Sequence, residues 1–495
     1  MRSKGLSGYL ALAGIMAATS TARAQEAEGE QEAEAAAPAE AAAPSEAAAP
    51  SEAAAQLEQP AGDDLQEQHL PEERLRQMVE EQMAKGLKPK VGDVQFHGYF
   101  RAGYGVSGEK GRQVCFQVAG AYSKYRLGNE CDLYGEFLFS GPAYVGDDGV
   151  VANANVMFNL FIPTTPLGYP DRFTPGGGEL GQDIHWGTNQ FFFDFQGLSF
   201  LGEGARAWVG RRFYKREDVH ATDYFWWNAS GLGGGLEDIP VGGTMKLSYA
   251  AFVVDGPPVL DEDPITPNRP ARTDIGIRND LRLYGIPLPG GELVLGANAI
   301  ADVSDNDDMN NGFSGTAMYV AKLLGGTSKT AVQYGLGPAV SGNGVIGRLD
   351  TSTDTTFMRV LENFDFQLTP ELGGQLTGVF NRDDVDEVGT QDWISAGGRL
   401  SYAVHQYAQL LLEAGFDTVK PEDGDRRNLT KVTVAPVIAA GKSHWARPQL
   451  RLFATFAMWN DAARAAPGGV DSGGIYTDTE ETSGATFGMQ GESWW

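Results

Sequence analysis

The sequence predicts an all-β chain whose bulk closes into a large transmembrane antiparallel β-barrel, preceded by a disordered N-terminal spacer and a short helix. Three observations predict it. Apolar and polar residues alternate with a period of two from about residue 94 onward; glycine (65 residues) and aromatics (10%) are abundant together; and the chain ends on an aromatic strand, Phe487-Gly-Met-Gln-Gly-Glu-Ser-Trp-Trp495.

The N-terminal elements come first. A basic start (Arg2, Lys4), an apolar stretch from Leu10 to Met16 and a small-residue end at Ala22-Arg23-Ala24 read as a secretory signal peptide over 1–24. The apolar run is too short for the roughly 20 residues of a bilayer-spanning helix. Residues 25–62 repeat Ala, Pro, Ser and Glu with almost no large apolar residue, so they cannot bury a core and read as a spacer. Over 63–90, Leu65, Leu75, Met78, Val79 and Met83 fall near helical spacing among Glu, Gln and Arg. So short a helix is marginal alone. It either associates with copies of itself as a coiled coil or stays nascent within a linker.

The barrel is expected over 91–495. In Gln449 to Trp459, Leu450, Leu452, Ala454, Phe456 and Met458 share one face, while Gln449, Arg451, Phe453 and Thr455 share the other. Leu410, Leu412, Ala414 and Phe416 oppose Gln409, Glu413 and Asp417 in the same way, and the pattern returns at His97 to Tyr104. Turn signals such as Pro289-Gly290-Gly291 and Pro370-Glu371 separate such runs. The length suffices for well over a dozen strands of about 9 to 11 residues. A soluble sandwich or propeller would also alternate; the aromatic end of the chain favours an outer-membrane barrel, with outer-membrane lipid as its surroundings.

Composition excludes other classes. A net charge of −27 with no clustered basic patch argues against nucleic acid. The six histidines (His69, His97, His185, His220, His405, His444) show no paired spacing, and no nucleophile elbow stands in a strand-to-helix context, so the chain is not expected to be an enzyme or to need a metal or other cofactor. Asp302-Val-Ser-Asp305-Asn-Asp-Asp308 lacks the order of a calcium loop and reads as a solvated external loop. Two cysteines, Cys115 and Cys131, would pair in an oxidising compartment, worth about 3 kcal/mol on the chain-entropy account.

Three blocks carry a resemblance. They are Phe96-His-Gly-Tyr-Phe-Arg-Ala-Gly with Cys115-Phe-Gln, Ser123-Lys-Tyr-Arg-Leu-Gly-Asn-Glu-Cys131 and Tyr134-Gly-Glu136; Arg212-Phe-Tyr-Lys-Arg-Glu-Asp-Val-His220 with Asp223, Trp227 and Ser230-Gly-Leu-Gly-Gly-Gly-Leu-Glu237; and Trp445 through Trp459 with the final Trp494-Trp495. Together they resemble the maltoporin family of sugar-specific porins. The resemblance implies about 18 strands, a homotrimer, and a pore narrowed by an infolded third loop through which oligosaccharides diffuse. It implies a sugar-binding aromatic rail of Tyr99, Tyr134, Trp186, Trp445 and Trp494, with Trp186 as the subunit-crossing tryptophan. It also implies a polar track and constriction of Arg101, Arg126, Glu136, Arg216, Asp218, His220, Asp223 and Phe225. Sugars offer flat apolar ring faces and edge hydroxyls, which suit aromatic rings flanked by charges.

The chain departs from the maltodextrin-specific members where Phe225 replaces the constriction tyrosine. Thr327 and Thr330 occupy aromatic positions, and a pore arginine is lost in Gln190-Phe-Phe-Phe-Asp194. The N-terminal extension resembles that of the sucrose-porin branch, so it is expected in the periplasm, with a periplasmic or cell-wall partner of its own. The expected substrates are sucrose, maltose and short oligosaccharides.

Overall fold

The computed structural model describes residues 90–163, 185–260, 270–304, 309–339, 344, 348–467, 469–470, 476 and 479–495. The expected signal peptide, spacer and amphipathic helix lie outside the described residues, which begin at Lys90.

The first five strands are β1 (Gln95–Ser107), β2 (Asp132–Val145), β3 (Val151–Pro163), β4 (His185–Gln196) and β5 (Arg206–Arg212). A small hairpin, β6 (Glu217–Val219) and β7 (Tyr224–Trp227), interrupts the series. Then follow β8 (Gly231–Gly242), β9 (Met245–Leu260), β10 (Pro270–Leu288), β11 (Gly291–Asp302), β12 (Gly312–Leu323), β13 (Gly326–Leu336) and β14 (Thr356–Gln367). The last six are β15 (Leu372–Val385), β16 (Gly389–His405), β17 (Ala408–Pro421), β18 (Arg427–Ala439), β19 (Gln449–Trp459) and β20 (Ser483–Trp494).

Omitting the hairpin, 18 strands form one sheet in which each pairs antiparallel with its sequence neighbours. The sheet closes because β1 pairs with β2 on one side and β20 on the other, Tyr99 opposite Trp494 and Ser107 opposite Thr486. Closure leaves no edge whose backbone groups would face hydrocarbon unpaired. At the seam, Gly98 and Trp495 exchange backbone hydrogen bonds of 3.1 Å each way. A Cβ on Gly98 would lie 2.6 Å from the Trp495 ring, so glycine is what lets the final tryptophan cross the seam.

The alternation read in the sequence is the wall itself. On β19, Leu452 and Phe456 are more than half exposed, while Arg451 and Thr455 are fully buried. The outward side chains form the lipid face and the inward ones the lumen. The predicted turns fall where expected, Pro289-Gly290 between β10 and β11 and Pro370-Glu371 between β14 and β15.

Two long loops fold into the lumen. Residues 108–131, after β1, are closed by the Cys115–Cys131 disulfide, and Val114, Phe116, Arg126, Leu127 and Asn129 are buried there. Residues 213–230, after β5, carry the β6–β7 hairpin, whose Trp226 is completely enclosed. Strand glycines seat both loops. A Cβ at Gly415 would meet the Tyr125 ring at 2.0 Å, and one at Gly296 would meet Trp227 at 2.2 Å.

Candidate functional site: the loop-lined lumen

A loop buried in a barrel must have its backbone groups met, and the wall supplies the partners. Around the loop after β1, Glu413 on β17 accepts from the Leu127 amide at 2.9 Å. Lys431 on β18 donates to the Leu127 carbonyl at 2.9 Å and pairs with Glu413, which Arg399 on β16 holds from the other side at 2.7 Å. Around the loop after β5, Arg278 donates to the Asn228 carbonyl, Arg359 to that of Trp226 and Asn363 to that of Asp218. Gln375 accepts from the Ala221 amide, and Lys329 pairs with Glu217 at 2.5 Å. The loops are therefore fixed furniture of the lumen, anchored on β10 and β13–β18.

Where the loops face the wall of β1, β2 and β20, charges of both signs interleave. Arg101 contacts three carboxylates: Asp132 at 2.8 Å, Glu130 at 3.1 Å and Asp223 at 3.2 Å. Arg126 pairs with Glu130 and reaches Glu492 at 3.1 Å, donates to the Tyr99 hydroxyl at 2.7 Å and lies 3.2 Å from His220 Nδ1. Glu492 also gathers Arg447 at 2.7 Å and Arg451. Burial first, and then the Arg126 guanidinium, hold the His220 imidazole well below its ordinary pKa. His220 is thus a neutral hydrogen-bonding group among arginines.

The aromatics line up beside these charges. From the short-turn end, Trp445 in the β18–β19 turn stands 6.5 Å from Trp494, with His220 5.2 Å from Trp445 and 5.9 Å from Trp494. Trp494 lies opposite Tyr99, and the Tyr99 and Tyr134 rings are 6.2 Å apart. Arginines cover two of these rings: Arg447 lies 4.1 Å from the Trp494 centroid and Arg101 lies 5.3 Å from that of Tyr134. The Tyr134 hydroxyl donates to Glu136 at 2.7 Å and accepts from Asn189 at 3.2 Å.

Most residues singled out from the sequence thus converge: Tyr99, Tyr134, Trp445, Trp494, Arg101, Arg126, Glu136, His220 and Asp223. Arg216 packs its guanidinium 3.5 Å from the Phe213 centroid and 4.6 Å from that of Phe225, so Phe225 serves as a face for Arg216. Asp218 is placed on β6, where its carbonyl is held by Asn363. Trp186 does not join the group; it is 70% exposed on the outward face of β4. Thr330 is likewise exposed and outward, opposite in parity to the enclosed Ala331 and Gln333, so only Thr327 of that pair shares the lumen-facing parity.

Sequence reasoning missed Glu492, Glu130, Asp132 and Arg447 as members of this track. Parity was the available signal for Glu492, which precedes Trp494 by two residues on β20, and for Asp132, which precedes Tyr134 by two on β2; Arg447 lies with Trp445 in the β18–β19 turn, where alternation gives none.

Comparison with known proteins adds the following. A family model described as LamB porin matches residues 94–495. Among solved structures, Pseudomonas aeruginosa OccK9 (OpdG) is similar at 9% identity and TM-score 0.46, over 82% of this chain and 100% of that one. An anion-selective porin from Comamonas acidovorans is similar at 13% identity and TM-score 0.42, over 81% and 99%. The trimer form of Vibrio cholerae OmpT is similar at 10% identity and TM-score 0.34, over 82% and 100%.

Proposed function

The chain belongs to the LamB porin family, a diffusion channel of the Gram-negative outer membrane, and from that premise we propose that it is selective for sugars: sucrose, maltose and short maltodextrins. The observation that carries this reading is the continuous aromatic line Trp445–Trp494–Tyr99–Tyr134 beside a track of both charge signs. Rings present apolar faces on which pyranoses slide, and the carboxylates and guanidinium groups exchange hydrogen bonds with the passing hydroxyls. Mixed signs favour a neutral polyol over an ion of either charge. Phe225 removes a hydroxyl from the constriction, which suits a broader set of sugars than maltodextrins alone.

The working unit in this proposal is a homotrimer. Arg211 is exposed on the outward face of β5, level with Phe191 on β4. A lipid-facing arginine near mid-height costs about 2–4 kcal/mol, a penalty that a neighbouring subunit relieves. Trp186, exposed on the same side, then reaches toward that neighbour's pore. In the same proposal the N-terminal extension lies in the periplasm, with a partner on that side of the membrane.

The test is ion current through the detergent-purified protein in a planar bilayer, titrated with maltodextrins and then sucrose. Sugar-dependent block in three equal steps is the expected result. A channel indifferent to every sugar would overturn the selectivity and leave a general diffusion porin.

A further inference from the structure

The outward wall of β15–β17 changes character toward the end where these strands turn into 386–388 and 422–426. Phe380, Ile394 and Phe416 face outward there, as contact with hydrocarbon requires. One step nearer the turns, Arg382, Asp392 and Lys420 stand opposite one another on the three strands and form a level row. Arg382 keeps 53% of its side chain exposed and grips Asp392 through Nε at 2.6 Å and Nη2 at 2.7 Å. Arg426, exposed in the β17–β18 turn, joins them by donating to Thr418 Oγ1 at 3.3 Å. Thr418 shares the outward parity of Lys420, so Arg426 lies against the outside of the wall and not over the lumen.

Three cations thus share one carboxylate. Lys420 donates to the Gly424 carbonyl at 2.6 Å and Arg426 to a hydroxyl, so neither contacts a carboxylate among the described residues. Both can exchange a neutral acceptor for an anionic one, which binds a guanidinium or ammonium group more strongly. The row lies at the end of the barrel from which the long loops after β1 and β5 also leave, the end that faces the cell exterior in outer-membrane barrels. Its own two turns are short, so they leave the wall open to the surrounding lipid. It also stands half-way round the 18-strand ring from β5, where the proposed subunit contact lies. Cations directly above an apolar belt match a lipid whose phosphates sit above its acyl chains.

We propose that Arg382, Lys420 and Arg426 bind a phosphate of a phosphorylated glycolipid in the outer leaflet, with its acyl chains lying along Phe380, Ile394 and Phe416. Arg382 offers a guanidinium already fixed by Asp392, Lys420 a point charge on the neighbouring face, and Arg426 a second guanidinium held against the wall. The exposed carboxylates Asp384, Asp423 and Asp425 stand beyond the row on the turn side, at the level where divalent cations bridge headgroup phosphates. This site is on the outside of the barrel and does not depend on which solute passes through the lumen.

The experiment takes the full chain, stripped of lipid in detergent, and titrates it with a bis-phosphorylated glucosamine-disaccharide glycolipid and separately with the dephosphorylated form, counting bound lipid by native mass spectrometry. The variants are Arg382→Gln, Lys420→Gln, Arg426→Gln, the three combined, and Lys442→Gln in the β18–β19 turn at the opposite end of the barrel. Far-UV circular dichroism first checks that each barrel has formed. The expected result is several-fold weaker binding in each single variant, no retained glycolipid in the triple variant and unchanged binding in Lys442→Gln. Removing the phosphates should weaken binding to the unaltered protein as much as the triple substitution does. Equal binding by the triple variant and the unaltered protein would overturn the site. Equal binding of the two glycolipid forms would overturn it too, leaving only acyl contacts. Loss of the oligomer in the triple variant would make the row a subunit contact and overturn the lipid assignment.

Discussion

Each lumen residue is read by what its removal leaves behind. Tyr134→Ala or Trp494→Ala removes a stacking face, and aromatic pairs are worth about 0.5–1.5 kcal/mol beyond area burial, so sugar affinity should fall about 3–10-fold while ions continue to pass. Titrated current block reads this directly, and unchanged affinity in both variants would refute the rail. Glu492 balances Arg126, Arg447 and Arg451 at once. Glu492→Gln should therefore shift ion selectivity toward anions, seen as a displaced reversal potential across a potassium chloride gradient. His220 behaves differently. Its pKa is depressed below the ordinary value near 6.5 by burial and by Arg126, so it stays neutral in the folded protein at pH values where an unfolded chain would bind a proton. His220 therefore weakens folding as pH falls below about 6.5 and contributes nothing above it.

Single strands and loops carry their own logic. The loop after β1 is held by the disulfide, by the Arg399–Glu413–Lys431 cluster and by the seat that Gly415 gives Tyr125. Gly415→Val places carbon atoms where the Tyr125 ring now lies, so this loop should be displaced. The expected readout is altered single-channel conductance with noisier open current, together with loss of sugar affinity because Arg126 moves with the loop. Normal conductance in Gly415→Val would show that the loop tolerates another seat. The strand pattern was legible in the sequence because period-two alternation is local: β17 and β19 read correctly from their own residues. The glycine seats were not, since a glycine inside a strand looks like weak propensity until the ring that fills its place is known.

At the scale of the whole barrel, depth in the bilayer decides the cost of charge. Phe456 lies outward near the middle of β19 and Leu450 outward near its short-turn end. Phe456→Arg should destabilise the barrel by about 2–4 kcal/mol, and Leu450→Arg by about 0–1 kcal/mol, when unfolding midpoints are compared in lipid. Equal costs would mean that β19 does not cross the bilayer at this depth. Length and family resemblance led to about 18 strands, and 18 close the sheet.

By itself the sequence determined the alternation, hence which side chains face lipid and which face the lumen, and the pairing of its only two cysteines. It also set Tyr99 with Arg101 and Tyr134 with Glu136 on one face, because parity along a strand is fixed by the backbone, whereas Trp494 was assigned through the family resemblance. The tertiary structure alone decided that Glu492 serves three arginines, that Trp186 points outward and that Thr330 leaves the lumen. Those facts depend on the register between strands and on two loops crossing the lumen, and contacts between residues hundreds of positions apart leave no local trace in the order of the chain.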